Sequence, residues 1–126
     1  MDDLGFDLLA SSLRAEIGDL RVFTEVLAAK LEEALPEQTR IERRGGLFSK
    51  KKPVRHITVD LDESRFELDA EDGRVKPRRC KVVRGVVLKT EPVPLDEWID
   101  DLSRELASMA QSNERARLAL QRLLEG

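Results

Sequence analysis

The stretch LDEWIDDLSRELASMAQSNERARLALQRL, residues 95–123, decides the fold class of this 126-residue chain. Leu95, Ile99, Leu102, Leu106, Met109, Asn113, Ala116, Leu120 and Leu123 follow one another at alternate steps of four and three. A heptad repeat held this long predicts one long C-terminal helix with a continuous apolar seam. If Ile99, Leu106 and Leu120 are a positions, Asn113 is one too, and a buried amide there fixes register in a two-stranded coil. The flanking positions hold Trp98, Ser103, Ala110, Ser112, Ala119 and Leu124 instead of alternating charges. That stripe is wide enough for a globular surface or a four-helix contact, in which case Asn113 sits where the seam meets solvent. Ile99, Leu102, Leu106, Met109, Asn113, Ala116, Leu120 and Leu123 are therefore the candidate helix interface. A homodimer, or another protein partner, is the expected occupant.

Upstream, Leu9, Leu13, Ile17, Leu20, Phe23, Leu27 and Leu31 mark a second long helix over 7–35. Asp7 caps it and Pro36 ends it. Gly18 in its middle is read as a point of close packing against another element. From Thr39 the period changes to two. Residues 39–44 form a short candidate strand around Ile41, and 45–53 a loop. Val54 to Leu61 alternates Ile57, Val59 and Leu61 against His56, Thr58 and Asp60, and Arg65 to Ala70 alternates Phe66, Leu68 and Ala70 against Glu67 and Asp69. Asp72-Gly73 signals a turn, and Pro77 is expected to make the return irregular. Arg79 to Leu88 reads as the longest strand, buried on both faces or bulged at Gly85. The fold class expected is α+β: a long N-terminal helix, a small antiparallel three- to four-stranded sheet and a long C-terminal helix, in a single domain over 1–126. Helices of about thirty residues span roughly 45 Å, more than strands of eight residues cover at about 3.3 Å each. Part of each helix must pack on something other than the sheet.

Helix, small antiparallel sheet, helix is an element order that resembles the YbaB/EbfC nucleoid-associated proteins. The likeness lies in that order alone, and it implies a dimer that binds DNA.

Composition bounds the function class. Charged residues make up 37%, apolar residues 40% and aromatics only 4%, so stability must come from aliphatic packing. The single cysteine, Cys80, excludes an internal disulfide and fits a reducing compartment. The acidic start and the lack of a long apolar run point to a cytoplasmic protein without membrane association. The net charge of -3 hides a segregation: three basic and nine acidic groups in 1–38, fifteen and nine in 39–91, four and seven in 92–126. A basic middle between acidic flanks bears on partners more than on fold.

Within that middle, Arg43, Arg44, Phe48, Lys50, Lys51 and Lys52 crowd a glycine-containing loop without an acidic residue. They are the candidate contacts for phosphate or for an acidic partner, with Phe48 placed to stack on a base. A solvated hairpin loop whose lysines protect a sheet edge is the plainer reading. A second basic run, Arg74, Lys76, Arg78, Arg79, Lys81, Arg84 and Lys89, is expected to pair across strands with Asp60, Glu67, Asp69 and their acidic neighbours. His56 with Asp60 and Glu67 is a weak metal or acid-base constellation, and Cys80 among valines reads as a small hydrophobe. No cofactor, metal or catalytic motif is expected, so the chain is read as no enzyme. The first reading is a protein-interaction module, an adaptor, chaperone or assembly factor, acting through its amphipathic helices. The alternative is a nucleic-acid-binding protein using the loop 43–53 and the strand region 74–89. Where the two basic runs lie relative to one another discriminates between them.

Overall fold

Alternation of period two runs further than the sequence suggests, and the sheet has five strands. In the computed structural model, which describes Ser11 and residues 18–44, 52–112 and 114–125, helix α1 spans Leu20–Ala34. Strands β1 Thr39–Arg43, β2 Val54–Leu61, β3 Ser64–Glu71, β4 Arg74–Val83 and β5 Val86–Pro92 follow. Helices α2 Leu95–Ser112 and α3 Glu114–Glu125 complete the described chain. The strands form an antiparallel meander in sequential order, with neighbours in sequence neighbours in space. Among the described residues no helix is long and apolar enough to cross a membrane.

The expected strand over 79–88 is instead a hairpin. Arg84 and Gly85 both take positive φ, 52° and 79°, the backbone that a tight two-residue turn between twisted strands requires. Valines on either side hid the turn, because arginine is an unusual occupant of a left-handed position. The bulge is real but displaced. Pairing passes from Val82↔Val87 to Lys81↔Lys89, so Leu88 is the extra residue. Pro77 leaves β4 regular, because its carbonyl accepts the Val93 N–H at 3.1 Å. Its backbone polar groups thus face the end of β5, and no hydrogen bond to β3 is missing. Residues 39–44 do contribute a strand, β1, and Asp72-Gly73 is the β3–β4 turn as expected.

Both helix expectations need correction. Gly18 and Asp19 form a turn, and Asp19 caps α1 by accepting the Arg21 N–H at 3.0 Å. A Cβ on Gly18 would meet nothing within 4 Å, so the glycine marks a break rather than a close approach. Among the described residues the expected long C-terminal helix is two helices, α2 ending at Ser112 and α3 beginning at Glu114; α3 packs against both α2 and α1. A straight helix over 95–123 would run about 44 Å beside strands of roughly 27 Å. Folding the seam at its middle brings Leu123 into the core that holds Leu106. The overhang that called for a partner is thereby packed within the chain.

The three described helices lie on one face of the sheet. Phe23, Leu27, Ala28 and Leu31 of α1 meet Ile57, Val59, Leu61, Phe66 and Leu68 of the sheet and Trp98, Ile99, Leu102 and Leu106 of α2. Each fully buried aliphatic or aromatic side chain contributes about 1.5–3 kcal/mol. Trp98 is central: its ring stands edge-on to Phe66 with centroids 6.0 Å apart, and its indole N–H donates to the Arg78 carbonyl at 3.1 Å. A Trp98→Ala change would leave a cavity in the centre of this core at a cost of about 3–5 kcal/mol.

Candidate functional site

The face of the sheet turned away from the described helices carries a charge lattice. His56 bonds Asp69, and Arg78 bridges Asp69 and Glu67. Burial alone would raise the Asp69 carboxyl, but hydrogen bonds from His56 and Arg78 outweigh it and hold it below the ordinary aspartate value. Asp60 takes Arg65 at 2.7 Å and lies 3.8 Å from Arg40. Of the second basic run, only Arg78 pairs across strands with the expected acids among the described residues; Arg79 pairs instead with Asp101 of α2 at 3.5 Å, and Lys89 with Glu91 of its own strand at 3.5 Å. His56, Asp60 and Glu67 are each drawn into these pairs. Among the described residues, no three His, Cys, Asp or Glu side chains gather as a metal would need. Cys80 is buried on the same face, opposite Arg65 and Thr90, and takes the Thr90 hydroxyl at 3.4 Å. It lies apart from His56, which pairs with Asp69, so the two form no nucleophile–base couple.

A different set of cations converges elsewhere. At the end of the sheet where β1 turns into β2 and β3 into β4, the start of α1 leaves a cleft of about 660 Å³. Arg21, Arg43, Arg44, Lys52, Arg55 and Arg74 line it, against the carboxylates Glu25, Glu71 and Asp72. The local fold explains the gathering. Positive φ at Asp72 and Gly73 makes the tight turn that starts β4 at Arg74. Arg21 lies over this turn, its Nε 3.5 Å from where a Cβ on Gly73 would stand. Glu25 then ties α1 to the hairpin. It accepts Arg43 Nη1 at 2.9 Å and the Val54 N–H at 2.8 Å, and Arg43 also donates to the Lys52 carbonyl at 2.9 Å. No ion pair joins Arg21, Arg44, Lys52, Arg55 or Arg74 to another described residue. Unneutralised cations around a concavity raise the local concentration of anions.

Of the loop residues singled out by sequence, Arg43, Arg44 and Lys52 line the cleft. Phe48, Lys50 and Lys51 lie outside the described residues. Sequence reading missed Arg21 and Arg55, the first because it belongs to the acidic N-terminal third and the second because it stands alone on a strand. Of the candidate helix interface, Ile99, Leu102, Leu106 and Leu123 are fully buried in the core, and Met109 packs against it half-buried. Asn113 lies outside the described residues. Ala116 and Leu120 fall on α3, and their side chains are likewise outside the described ones. The three described phenylalanine and tryptophan rings, Phe23, Phe66 and Trp98, are all buried. None of them offers the cleft a stacking surface.

No family model matches this chain, and no curated protein or solved structure shows significant similarity to it.

Proposed function

We propose that this protein is a non-enzymatic nucleic-acid-binding protein whose basic cleft holds the phosphate backbone with little regard to sequence. The observation that carries the reading is the convergence of Arg21, Arg44, Lys52, Arg55 and Arg74, none of them ion-paired to a described residue, around one cleft. Three of these five belong to the two basic runs, Arg44 and Lys52 from the connection between β1 and β2 and Arg74 from the start of β4. Arginine suits phosphate because its planar fork can donate two parallel hydrogen bonds. Without an exposed ring or a free base-reading helix among the described residues, the contacts on offer go to phosphate, and phosphate contacts position without specifying.

The helix-mediated adaptor has less support. Four of its interface residues, Ile99, Leu102, Leu106 and Leu123, are occupied by the protein's own core. An acidic protein ligand for the cleft remains distinguishable by experiment.

The test is fluorescence anisotropy with labelled single-stranded and duplex oligonucleotides of mixed sequence, between about 50 and 200 mM salt. Binding should weaken steeply with salt and vary little with sequence. Replacing Arg44, Arg55 and Arg74 together by Gln should shallow the log–log salt slope by up to about 2 on single strands, at roughly 0.7 per phosphate contact. All three are exposed, so folding should be unaffected. No binding by wild type at micromolar concentration and about 50 mM salt would remove the proposal, as would a salt slope that the triple variant leaves unchanged.

A further inference from the structure

Outside the cleft, β5 is an open edge among the described strands. It is the last strand in the order, and all seven of its residues are exposed. Val86, Val87 and Leu88 stand 58%, 42% and 61% exposed at its start. Which backbone groups face outward follows from one bond. The Val93 N–H donates to the Pro77 carbonyl, so 77 and 93 are a hydrogen-bonded antiparallel pair. Hydrogen-bonded and non-bonded pairs alternate along such a ladder. Arg79↔Glu91 and Lys81↔Lys89 are then bonded pairs, while Cys80↔Thr90 is not. The N–H and C=O of Thr90 therefore point away from β4, into the open edge.

We infer that β5 is a homodimer edge: two copies of this chain pair antiparallel about a two-fold axis through Thr90, extending the sheet across both. The charge sequence of the strand is complementary to itself under that operation. Lys89 faces the partner's Glu91, and Glu91 faces the partner's Lys89. In the single chain these two groups lie 3.5 Å apart along the strand, so pairing exchanges the two intrachain ion pairs of two monomers for two cross-strand ones, which fix the register without changing the number of pairs. The axis also sets Leu88 opposite the partner's Pro92, which covers the most exposed of the described large aliphatic side chains with an apolar ring. Thr90 supplies two backbone hydrogen bonds at the centre.

Features that blunt an edge also fix this register. The bulge at Leu88 and the missing N–H of Pro92 stop pairing from sliding or propagating, devices that keep edges from open-ended aggregation. Between them only the Leu88–Pro92 segment is left to pair, and a two-fold contact through it closes on itself. Five residues a side, Leu88 to Pro92 of the seven-residue strand, is small beside the roughly 20–30 of a standard interface, so the dimer belongs in the weak, concentration-dependent class. The edge is remote from the cleft and independent of the ligand proposed there.

Sedimentation equilibrium from about 1 to 500 µM protein tests it. Wild type should show a reversible monomer–dimer equilibrium. Lys89→Glu places like charges opposite one another twice per dimer and should weaken association on the order of ten-fold, since cross-strand pairs contribute a fraction of a kcal/mol each. Adding Glu91→Lys to that variant should restore it, because the reversed pair is again complementary. Thr90→Pro removes the outward N–H, leaves the backbone bonds to β4 in place while losing the hydroxyl bond to Cys80, and should abolish the dimer, with thermal unfolding as the check that the monomer still folds. A protein that stays monomeric across the range overturns the inference. So does a dimer that ignores the charge reversal and its repair, and the charge pair decides if Thr90→Pro fails to fold.

Discussion

Glu25 joins the fold to the cleft, and its replacement separates two effects of different size. Its Oε2 accepts the Val54 N–H at 2.8 Å and its Oε1 accepts Arg43 Nη1 at 2.9 Å. Val54 is only 4% exposed, and a buried N–H left without an acceptor costs about 1–3 kcal/mol. The Glu25 side chain is 44% exposed, which places the ion pair in the solvent-screened class worth about 0.2–1 kcal/mol. Hydrogen bonding should therefore outweigh charge. Glu25→Ala removes both and should cost about 2 kcal/mol, whereas Glu25→Gln keeps an acceptor for Val54 and should cost about 0.5 kcal/mol. Urea unfolding followed by circular dichroism measures this, with unchanged m-values as the sign that only stability moved. Binding should change in the other direction. Glu25→Gln takes a carboxylate from the cleft and frees Arg43, so oligonucleotide affinity should rise and the salt slope steepen by up to about 0.7 on single strands. A Gln variant as unstable as the Ala variant would refute the hydrogen-bond account. One that binds oligonucleotide more weakly than wild type would refute the placement of the anion.

Two further changes test the packing of α2. The Ser103 hydroxyl is fully buried without a hydrogen-bond partner among the described residues, so Ser103→Ala should stabilise by about 1 kcal/mol, with better helix propensity adding to the relief of desolvation; a lower midpoint in urea would show that the hydroxyl has a partner. Burial, assisted by Asp62 and Asp101 and opposed by Arg79, raises the Glu105 carboxyl above its usual value. An acid that holds its proton more tightly when folded destabilises the fold once ionised, and the penalty fades as pH falls through the raised value. Glu105→Gln should therefore be more stable than wild type at pH 7, with the gap in melting temperature closing towards about pH 4; a gap constant with pH would exclude ionisation as its cause.

Local pattern alone determined a good part of this protein. The alternation of Ile57, Val59 and Leu61, and of Phe66 and Leu68, was enough to place β2 and β3 and their buried face, because a strand's side chains divide between faces whatever its neighbours are. Asp72-Gly73 identified its own turn, since both residues tolerate positive φ. Pro36 marked the end of α1 for an equally local reason. Tertiary structure decided where chemistry of one kind had two outlets. The heptad from Leu95 to Leu123 is satisfied as well by a second chain as by a fold at its middle, and only the shared core of α1, α2 and the sheet selects the second. Arg84-Gly85 carries no strong turn signal in sequence; the pairing of Val83 with Val86 imposes it. Basic residues on β4 read alike in sequence, yet their partners divide them: Arg78 and Arg79 find carboxylates across the sheet and on α2, while Arg74 at the strand end finds none among the described residues. The cleft itself joins Arg21, Arg43, Arg55 and Arg74, residues far apart in the chain. Electrostatic potential adds in space, whereas charge patterning in sequence records only neighbours along the backbone, and folding alone converts one into the other.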